Sequence, residues 1–385
     1  MNLVVISHTA HRHHSDGKPM GWGPTAREID KLASSFDHVC HLAFLHPGEP
    51  PVTYIRYTSP NVTFIPLYPA GGDTLIKKLQ VVIYAAFNLR IILKYIKQAD
   101  TVQLRLPTGM GMYMLPWISF FVRRNFTLWV KYAGNWAHPN PPISYRFQRW
   151  FLKNNFQRSL VTINGKWPDQ PVHCLTFENP CLTDEEISEG RDTSEKKKFD
   201  DGLNILFVGR IETAKGVDKI LAMAQHLKTP GRIKKIVLVG DGDLDTFKQL
   251  ATKINVPIVF TGGLGRKQLN ELYSESHVLL LPSTSEGFPK VVAEASAFGC
   301  IPFVSDVSSL SQYIQPENGH LFSSLDPVTM ANEFEKIVAN AGNLKARSIN
   351  AVILAEKFTY THYKKRIFGE IIERSPVHEN IISRK

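Results

Sequence analysis

The chain of 385 residues has little cysteine, no long uncharged apolar run and no low-complexity tract, and each absence removes a class of protein. Its four cysteines, Cys40, Cys174, Cys181 and Cys300, form no CxxC pair. That spacing supports neither a disulfide framework nor a cysteine zinc site, so free thiols in a reducing compartment are expected. The start MNLVVISHT reads as a first strand and not a signal peptide, because no charged segment precedes its short apolar run. Two apolar segments, 75 to 97 and 111 to 124, fall short of a bilayer span: Asn88 and Arg90 interrupt the first, and the second is too short. A hydrophobic content of 43% is that of a globular chain, and the length suits two domains of ordinary size.

Acidic residues are scarce in one half only. Residues 1 to 170 hold 19 Lys and Arg against 8 Asp and Glu, whereas residues 171 to 385 hold 26 against 27. No nucleic-acid-binding motif accompanies the basic half, so nucleic acid is not the expected partner. An anionic membrane surface suits it better. LIKKLQVVIYAAFNLRIILKYIK (75 to 97) interleaves Lys77, Lys78, Arg90, Lys94 and Lys97 with apolar residues, and GMYMLPWISFFVRR sets Trp117, Phe120 and Phe121 beside Arg123 and Arg124. Such segments can lie in the interface, although core-facing helices of a sheet would show the same pattern.

What the chain does have is a succession of short apolar strands ending in glycine or small polar residues and separated by helical patterns. Strands are predicted at 3–7, 38–44, 62–67, 101–106, 127–133 and 159–164, and then within 205–209, 235–243, 256–263, 278–281 and 301–306, all of the second group but 278–281 ending in glycine or a short polar residue. This alternation predicts an α/β protein with doubly wound parallel sheets. Residues 1–174 form the first expected domain, a polar stretch at 175–202 the linker, 203–355 the second domain, and 356–385 a helical C-terminal segment.

In the second domain two acids stand eight positions apart, Glu286 and Glu294 in PSTSEGFPKVVAEASAFG, directly after the strand VLLL. If the segment is helical, both carboxylates point to one side about 12 Å apart along the axis, roughly the length of a nucleotide sugar. Acids at a helix start are also ordinary solvated caps. Arg210 and Lys215, on the turn after the strand ILFVG, supply cations at the same sheet edge, as a diphosphate requires.

GRIETAKG, VLVGDGD, VFTGG and PSTSEGFPKVVAEASAFG, in this order and spacing, resemble the donor half of glycosyltransferase family 4, retaining enzymes of the GT-B fold. The resemblance covers about 150 residues. It implies two Rossmann-like domains facing a central cleft, with Arg210 and Lys215 on the donor diphosphate, Glu286 on the sugar hydroxyls and Glu294 on the ribose. Gly209, Gly262 and the main-chain amides of Gly287 and Phe288 would lie against the donor. Pro289 departs from a common glycine and removes one amide; Ser308 and Ser309 in DVSSLSQ replace a usual double glycine. The crossing of the C-terminal segment back over the first domain is likewise implied by the family.

In the first half, Gly21 and Gly23 resemble the glycine loop that faces the donor phosphates in GT-B enzymes. His8, His11, His13 and His14 in the same stretch fit a mobile loop better than a metal cluster, having no ordered carboxylate or thiolate pattern nearby. Asp241-Gly242-Asp243 mimics a metal-binding DxD, but it follows a donor-domain strand where the family has Gly-Asp-Gly, so no metal is expected. Acceptor-side candidates are Arg105, Asn135 and His138. An ion pair is the ordinary alternative for Arg105 and a surface loop for His138, and Ala133 to Asn135 occupy the stretch where many relatives place a histidine.

The function so implied is retaining transfer of a sugar from a UDP- or GDP-linked donor to a hydroxyl of a glycan or lipid-linked acceptor, without metal or other cofactor. A role in capsule, exopolysaccharide or O-antigen synthesis follows, in the cytoplasm, with a peripheral place on the inner membrane face as an extension. The alternatives are a GT-B epimerase and a nucleotide-sugar-binding protein without transferase activity.

Overall fold

The computed structural model describes residues 1–69 and 75–374, with the backbone alone for 75–82. The side chains of Lys77 and Lys78 and the segment 375–385 therefore lie outside the described residues. Two compact units divide the chain: Met1–Glu178 with His362–Lys385, and Asn179–Thr361.

The first unit contains, in chain order, β1 (Asn2–Ile6), β2 (His11–His13), β3 (Pro19–Trp22), β4 (His38–Phe44), β5 (Tyr54–Ile55), β6 (Val62–Leu67), β7 (Thr101–Leu106), β8 (Thr127–Tyr132), β9 (Leu160–Ile163) and β10 (Cys174–Thr176). Seven of them form a parallel sheet in the order β10-β9-β8-β7-β1-β4-β6, and β2, β3 and β5 form a small antiparallel patch. Its helices are α1 (Gly23–Ala33), α2 (Leu75–Ile96), α3 (Gly111–Phe120) and α4 (Ile143–Lys153). β7 and β8 are buried along their whole length, as expected of parallel strands covered on both faces. Asn88, one of the residues that interrupts the apolar run of α2, is fully buried and bonds both the amide and the carbonyl of Tyr68, at 2.9 and 3.1 Å, just past the end of edge strand β6.

The second unit opens with α5 (Asp184–Lys196), followed by strands β11 (Leu203–Val208), β12 (Ile233–Val239), β13 (Ile258–Gly262), β14 (Val278–Leu281), β15 (Ile301–Ser305) and β16 (His320–Phe322). All pair in parallel, in the order β13-β12-β11-β14-β15-β16. Between and after the strands lie α6 (Val217–Gln225), α7 (Leu244–Ala251), α8 (Arg266–Glu275), α9 (Lys290–Ala297), α10 (Pro327–Val338) and α11 (Ala341–Ala355).

Most of the polar stretch read as a linker is helix α5. Thr183 accepts from the Glu186 amide while the Glu186 carboxylate accepts from the Thr183 amide, closing a capping box. Only Ile187, Gly190 and Ser194 of this helix are buried, and a side chain at Gly190 would collide with the Ala297 carbonyl of α9. A buried stripe made of one isoleucine and two small residues leaves almost no hydrophobic period to read. At the other end of the chain, α12 (Tyr360–Ile367) runs into a π-helical turn, Phe368–Ile372. Tyr363, Ile367, Ile371 and Ile372 enter the first unit's core beside Leu3, Val5 and Trp129.

The histidine-rich stretch is ordered, contrary to the mobile loop expected for it. His11 is fully buried in β2, its ring stacked on Phe64 with centroids 4.2 Å apart. A chain of hydrogen bonds runs from Ser7 Oγ to His41 Nε2 (2.7 Å), from His41 Nδ1 to the Tyr57 hydroxyl, and from Tyr57 to His11 Nε2 (2.8 Å). His13 and His14 turn elsewhere, to the Gly17 carbonyl and to Arg56. Gly21 and Gly23 have a packing reason: a Cβ at the first would strike the His11 ring and at the second the Thr53 carbonyl.

Burial lowers the pKa of His11 to about 4 and that of His41 well below its ordinary value, the latter with help from His11 and Arg105. Both are neutral in the fold, whereas the unfolded chain protonates them near pH 6.5. The unfolded state thus binds more protons below that point, so stability is lost as pH falls from about 6.5 toward 4. We expect the melting temperature to drop between about pH 7 and pH 5, less so in His41→Gln; a flat profile over that window would exclude the assignment.

Candidate functional site

The strand order of the second unit reverses on either side of β11, which pairs with β12 on one flank and β14 on the other. Loops that leave the C-terminal ends of β11 and β14 therefore diverge at a topological switch point, where open α/β sheets bind ligands. Those two loops carry Arg210 with Lys215, and Glu286.

Backbone contacts hold the loops together. The turn Thr213–Lys215 is a 3-10 segment closed by Gly216, whose φ of 79° is left-handed. Thr284 donates its amide to the Ala214 carbonyl at 3.0 Å and its hydroxyl to the same oxygen at 3.2 Å. Lys215 Nζ consequently lies 2.6 Å from Glu286 Oε1, with the lysine one-quarter exposed and the glutamate 10% exposed. Arg210 on the same turn is 76% exposed, and its Nε approaches Glu212 Oε2 only to 3.4 Å. The Phe288 side chain is buried, stacked on Phe358 at 4.5 Å and set edge-on to Tyr313, which anchors the loop just before α9. Among the described residues the amides of Gly287 and Phe288 have no acceptor, and α9 has no side-chain cap. Two main-chain donors and two cations thus share one edge of the sheet.

Gly209 and Gly262 end β11 and β13 at this edge, with the Gly240 amide bonded to the Gly262 carbonyl at 3.0 Å. Gly240 has φ 140°, and a Cβ there would run into the Gly209 carbonyl. Only glycine lets the two loops meet. Asp241 accepts from the Gly263 amide at 2.9 Å and Asp243 caps α7 through the Thr246 amide at 3.3 Å, so each acid of the Asp-Gly-Asp motif serves a different backbone donor. Ser308, at the position of a usual glycine, keeps a glycine-like φ of 55°.

Glu286 and Glu294 do not ride one helix, as their spacing suggested. α9 starts only at Lys290, because Pro289 has no amide to donate and disfavours helical geometry in the residue before it. Glu294 is engaged on both oxygens: Oε1 lies 2.6 Å from Arg266 Nη1, and Oε2 accepts from the Tyr273 hydroxyl at 3.2 Å. Arg266 also bonds Glu186 at 2.8 Å. Burial works against the Arg266 charge, but Glu294 and Glu186 more than offset it and raise its pKa. The reading of the sequence passed over Arg266. It stands at the first position of α8, where a cation opposes the helix dipole, and that mismatch was the signal of a carboxylate partner.

The acceptor candidates of the first unit separate. Arg105 lies within β7, buried, and forks onto Glu28 of α1 at 2.8 and 3.2 Å. The ion pair, its ordinary alternative, is what forms: Arg105 and Lys131 are register partners on β7 and β8, and both reach Glu28, Lys131 at 2.6 Å. Asn135 and His138 stay on the loop after β8 and shape it, Asn135 accepting from the Ala137 amide and His138 from that of Asn140. Arg149 of α4 bonds the carbonyls of Trp136 and His138.

Two doubly wound parallel units with this switch-point edge define a GT-B fold. Over the full length of both chains the structure resembles sucrose-phosphate synthase from Thermosynechococcus elongatus, with a TM-score of 0.72 at 16% identity. It likewise resembles Anabaena HepE in complex with UDP-glucose over both full lengths, with a TM-score of 0.64 at 15% identity. Residues 189–353 match the family model of Glycosyl transferases group 1, so the second unit carries a domain of that kind. An uncharacterized glycosyltransferase of Methanocaldococcus jannaschii is 32% identical over 148 residues, 37% of each chain. A protein of the Klebsiella pneumoniae cps region is 32% identical over 130 residues, 34% of this chain and 35% of its own. These matches span less than two-fifths of the relatives' length.

Proposed function

We propose that this protein transfers a sugar, with retention, from a nucleoside diphosphate sugar to a hydroxyl of a glycan or lipid-linked acceptor in cell-surface polysaccharide synthesis. The observation that carries the reading is the meeting of Lys215, Glu286 and the acceptor-less amides of Gly287 and Phe288 at the switch point, with Arg210 beside them. The complexes of HepE with UDP and with UDP-glucose, and the cps-region origin of one relative, support a nucleotide donor and a polysaccharide product.

In the reaction the bond from the anomeric carbon to the β-phosphate oxygen breaks, and the acceptor oxygen bonds to that carbon on the same face. The acceptor proton passes to the departing diphosphate. Negative charge grows on the diphosphate as it leaves, and preorganised donors act most strongly there: Lys215, Arg210 and the two amides. Glu286, tethered to Lys215 by one oxygen, has the other for a sugar hydroxyl. Glu294 takes the ribose in this reading, with Arg266 and Tyr273 fixing its orientation. No step calls for a metal.

An acceptor at a membrane would suit the first unit, where Phe120 and Phe121 are 58% and 79% exposed next to Arg123 and Arg124. Among the described residues no helix is long and apolar enough to cross a membrane. The test is calorimetry with UDP and GDP, followed by incubation of UDP- and GDP-sugars with a lipid-linked acceptor extract and assignment of the new anomeric linkage by NMR. Glu294→Ala is expected to weaken nucleotide binding. Failure of every nucleotide to bind overturns the reading; a new nucleotide sugar formed without acceptor selects epimerisation, and binding without any product selects a non-catalytic role.

A further inference from the structure

A second concave site lies in the first unit, at the edge where β8 and β9 begin, opposite in strand direction to the loops that follow those strands. It is a cleft of about 440 Å³, and three of its lining residues are arginines: Arg124, Arg158 and Arg374. No carboxylate lines it among the described residues. Arg124 uses one nitrogen to bond the Gln157 carbonyl at 2.6 Å, and among the described residues none of the three arginines has a carboxylate within salt-bridge distance. Burial, and then the neighbouring charge of Arg158, lowers the Arg124 pKa. Two guanidinium groups that repel one another in a half-sheltered cleft are stable neighbours when an anion sits between them.

Three features of the segment Asn154–Leu160 point the same way. Arg158 has φ 47° and Asn155 φ 54°, left-handed conformations that an arginine seldom adopts, so the backbone is held against its preference where it presents the arginine. Ser159 is one of the lining residues, and its shielded hydroxyl has no hydrogen-bond partner among the described residues. That leaves one donor to spare beside two guanidinium forks, the donor set that planar and tetrahedral oxyanions select. Apolar surface comes from Phe126 just before β8, Leu128 within it and Ile371 from the C-terminal turn. His173 is turned away, bonded through Nε2 to the Leu152 carbonyl at 2.7 Å.

We propose that this cleft binds a phosphate group whose other substituent is apolar or absent, held by Arg124, Arg158, Arg374 and Ser159. The site shares no residue with the β11–β14 edge, and its existence does not depend on the transferase reading. Phosphate of this kind is offered by a free phosphate ester and by an acidic phospholipid headgroup, and the test separates them.

The full chain with Arg210→Ala and Lys215→Ala, which removes the cations of the other edge, is titrated calorimetrically with inorganic phosphate and sedimented with vesicles of phosphatidylcholine containing phosphatidylglycerol. Adding Arg124→Gln and Arg158→Gln should weaken one of the two interactions by about tenfold or more, since each charge-assisted hydrogen bond lost is among the strong ones. Loss in the phosphate arm identifies a free ester, and loss in the vesicle arm alone identifies a headgroup. Ser159→Ala, which leaves both arginines and the packing in place, should weaken the same arm by a few-fold and guards against misfolding of the double variant. The proposal is overturned if neither phosphate nor vesicles bind, or if binding in both arms is indifferent to these substitutions.

Discussion

Lys215→Ala is expected to lower kcat/KM by about 10²–10³, the usual consequence of removing one preorganised donor from a developing oxyanion. The lysine is one-quarter exposed and its partner Glu286 is held on a loop tied to Ala214 by Thr284, so the substitution should leave the melting temperature nearly unchanged. Activity and stability thus respond separately, which marks a residue working on the reaction. Glu286→Gln keeps the shape of the loop while removing the charge that holds Lys215, and should fall between wild type and Lys215→Ala. The measurement is initial velocity against donor concentration, with thermal melts of the same preparations. Near-normal turnover in Lys215→Ala would remove the turn after β11 from the mechanism.

Glu28→Gln is the second large effect, and it acts on folding. Glu28 is fully buried and serves Arg105 and Lys131 together, with the Tyr363 hydroxyl accepting from Lys131 at 3.0 Å and donating to Glu28 at 3.2 Å. The Tyr363 pKa is raised, by its burial and by the Glu28 charge. Removing its charge takes a shared carboxylate from two buried cations, and breaking a buried pair in this way costs about 3–5 kcal/mol. Denaturant unfolding followed by tryptophan fluorescence reads it, since Trp129 packs in the same core. Adding Lys131→Met to Glu28→Gln removes one of the two buried cations and should recover part of the loss. A change under about 1 kcal/mol in Glu28→Gln would show that the cluster is not held by its charges.

Eleven strands of the two sheets were legible in the sequence to within about two residues as short, largely apolar runs, whereas the three-residue edge strands β10 and β16 are too short to show one and were not predicted. HVCHLAF, VTFIPL, TVQLRL and VLLL form strands over the very residues expected. The helix within the stretch read as a linker was not legible, since α5 buries one isoleucine and two small residues and so carries almost no periodic signal. Glu286 and Glu294 were placed on one helix because spacing alone cannot show that Pro289 postpones the helix to Lys290.

Composition and pattern by themselves determined the alternation of strand and helix, the glycine-punctuated turns and the residues on offer at the strand ends, because these depend on local sterics and on hydrophobic period. Only the tertiary structure decided which of those residues meet. Strand order puts β11 beside β14 and so brings Lys215 to Glu286 across 71 positions of chain. Register puts Arg105 beside Lys131 and hands both to Glu28, converting an apparent ligand contact into a buried ion pair. Pairing between distant strands is set by burial summed over a whole sheet, a quantity that no single stretch of sequence contains.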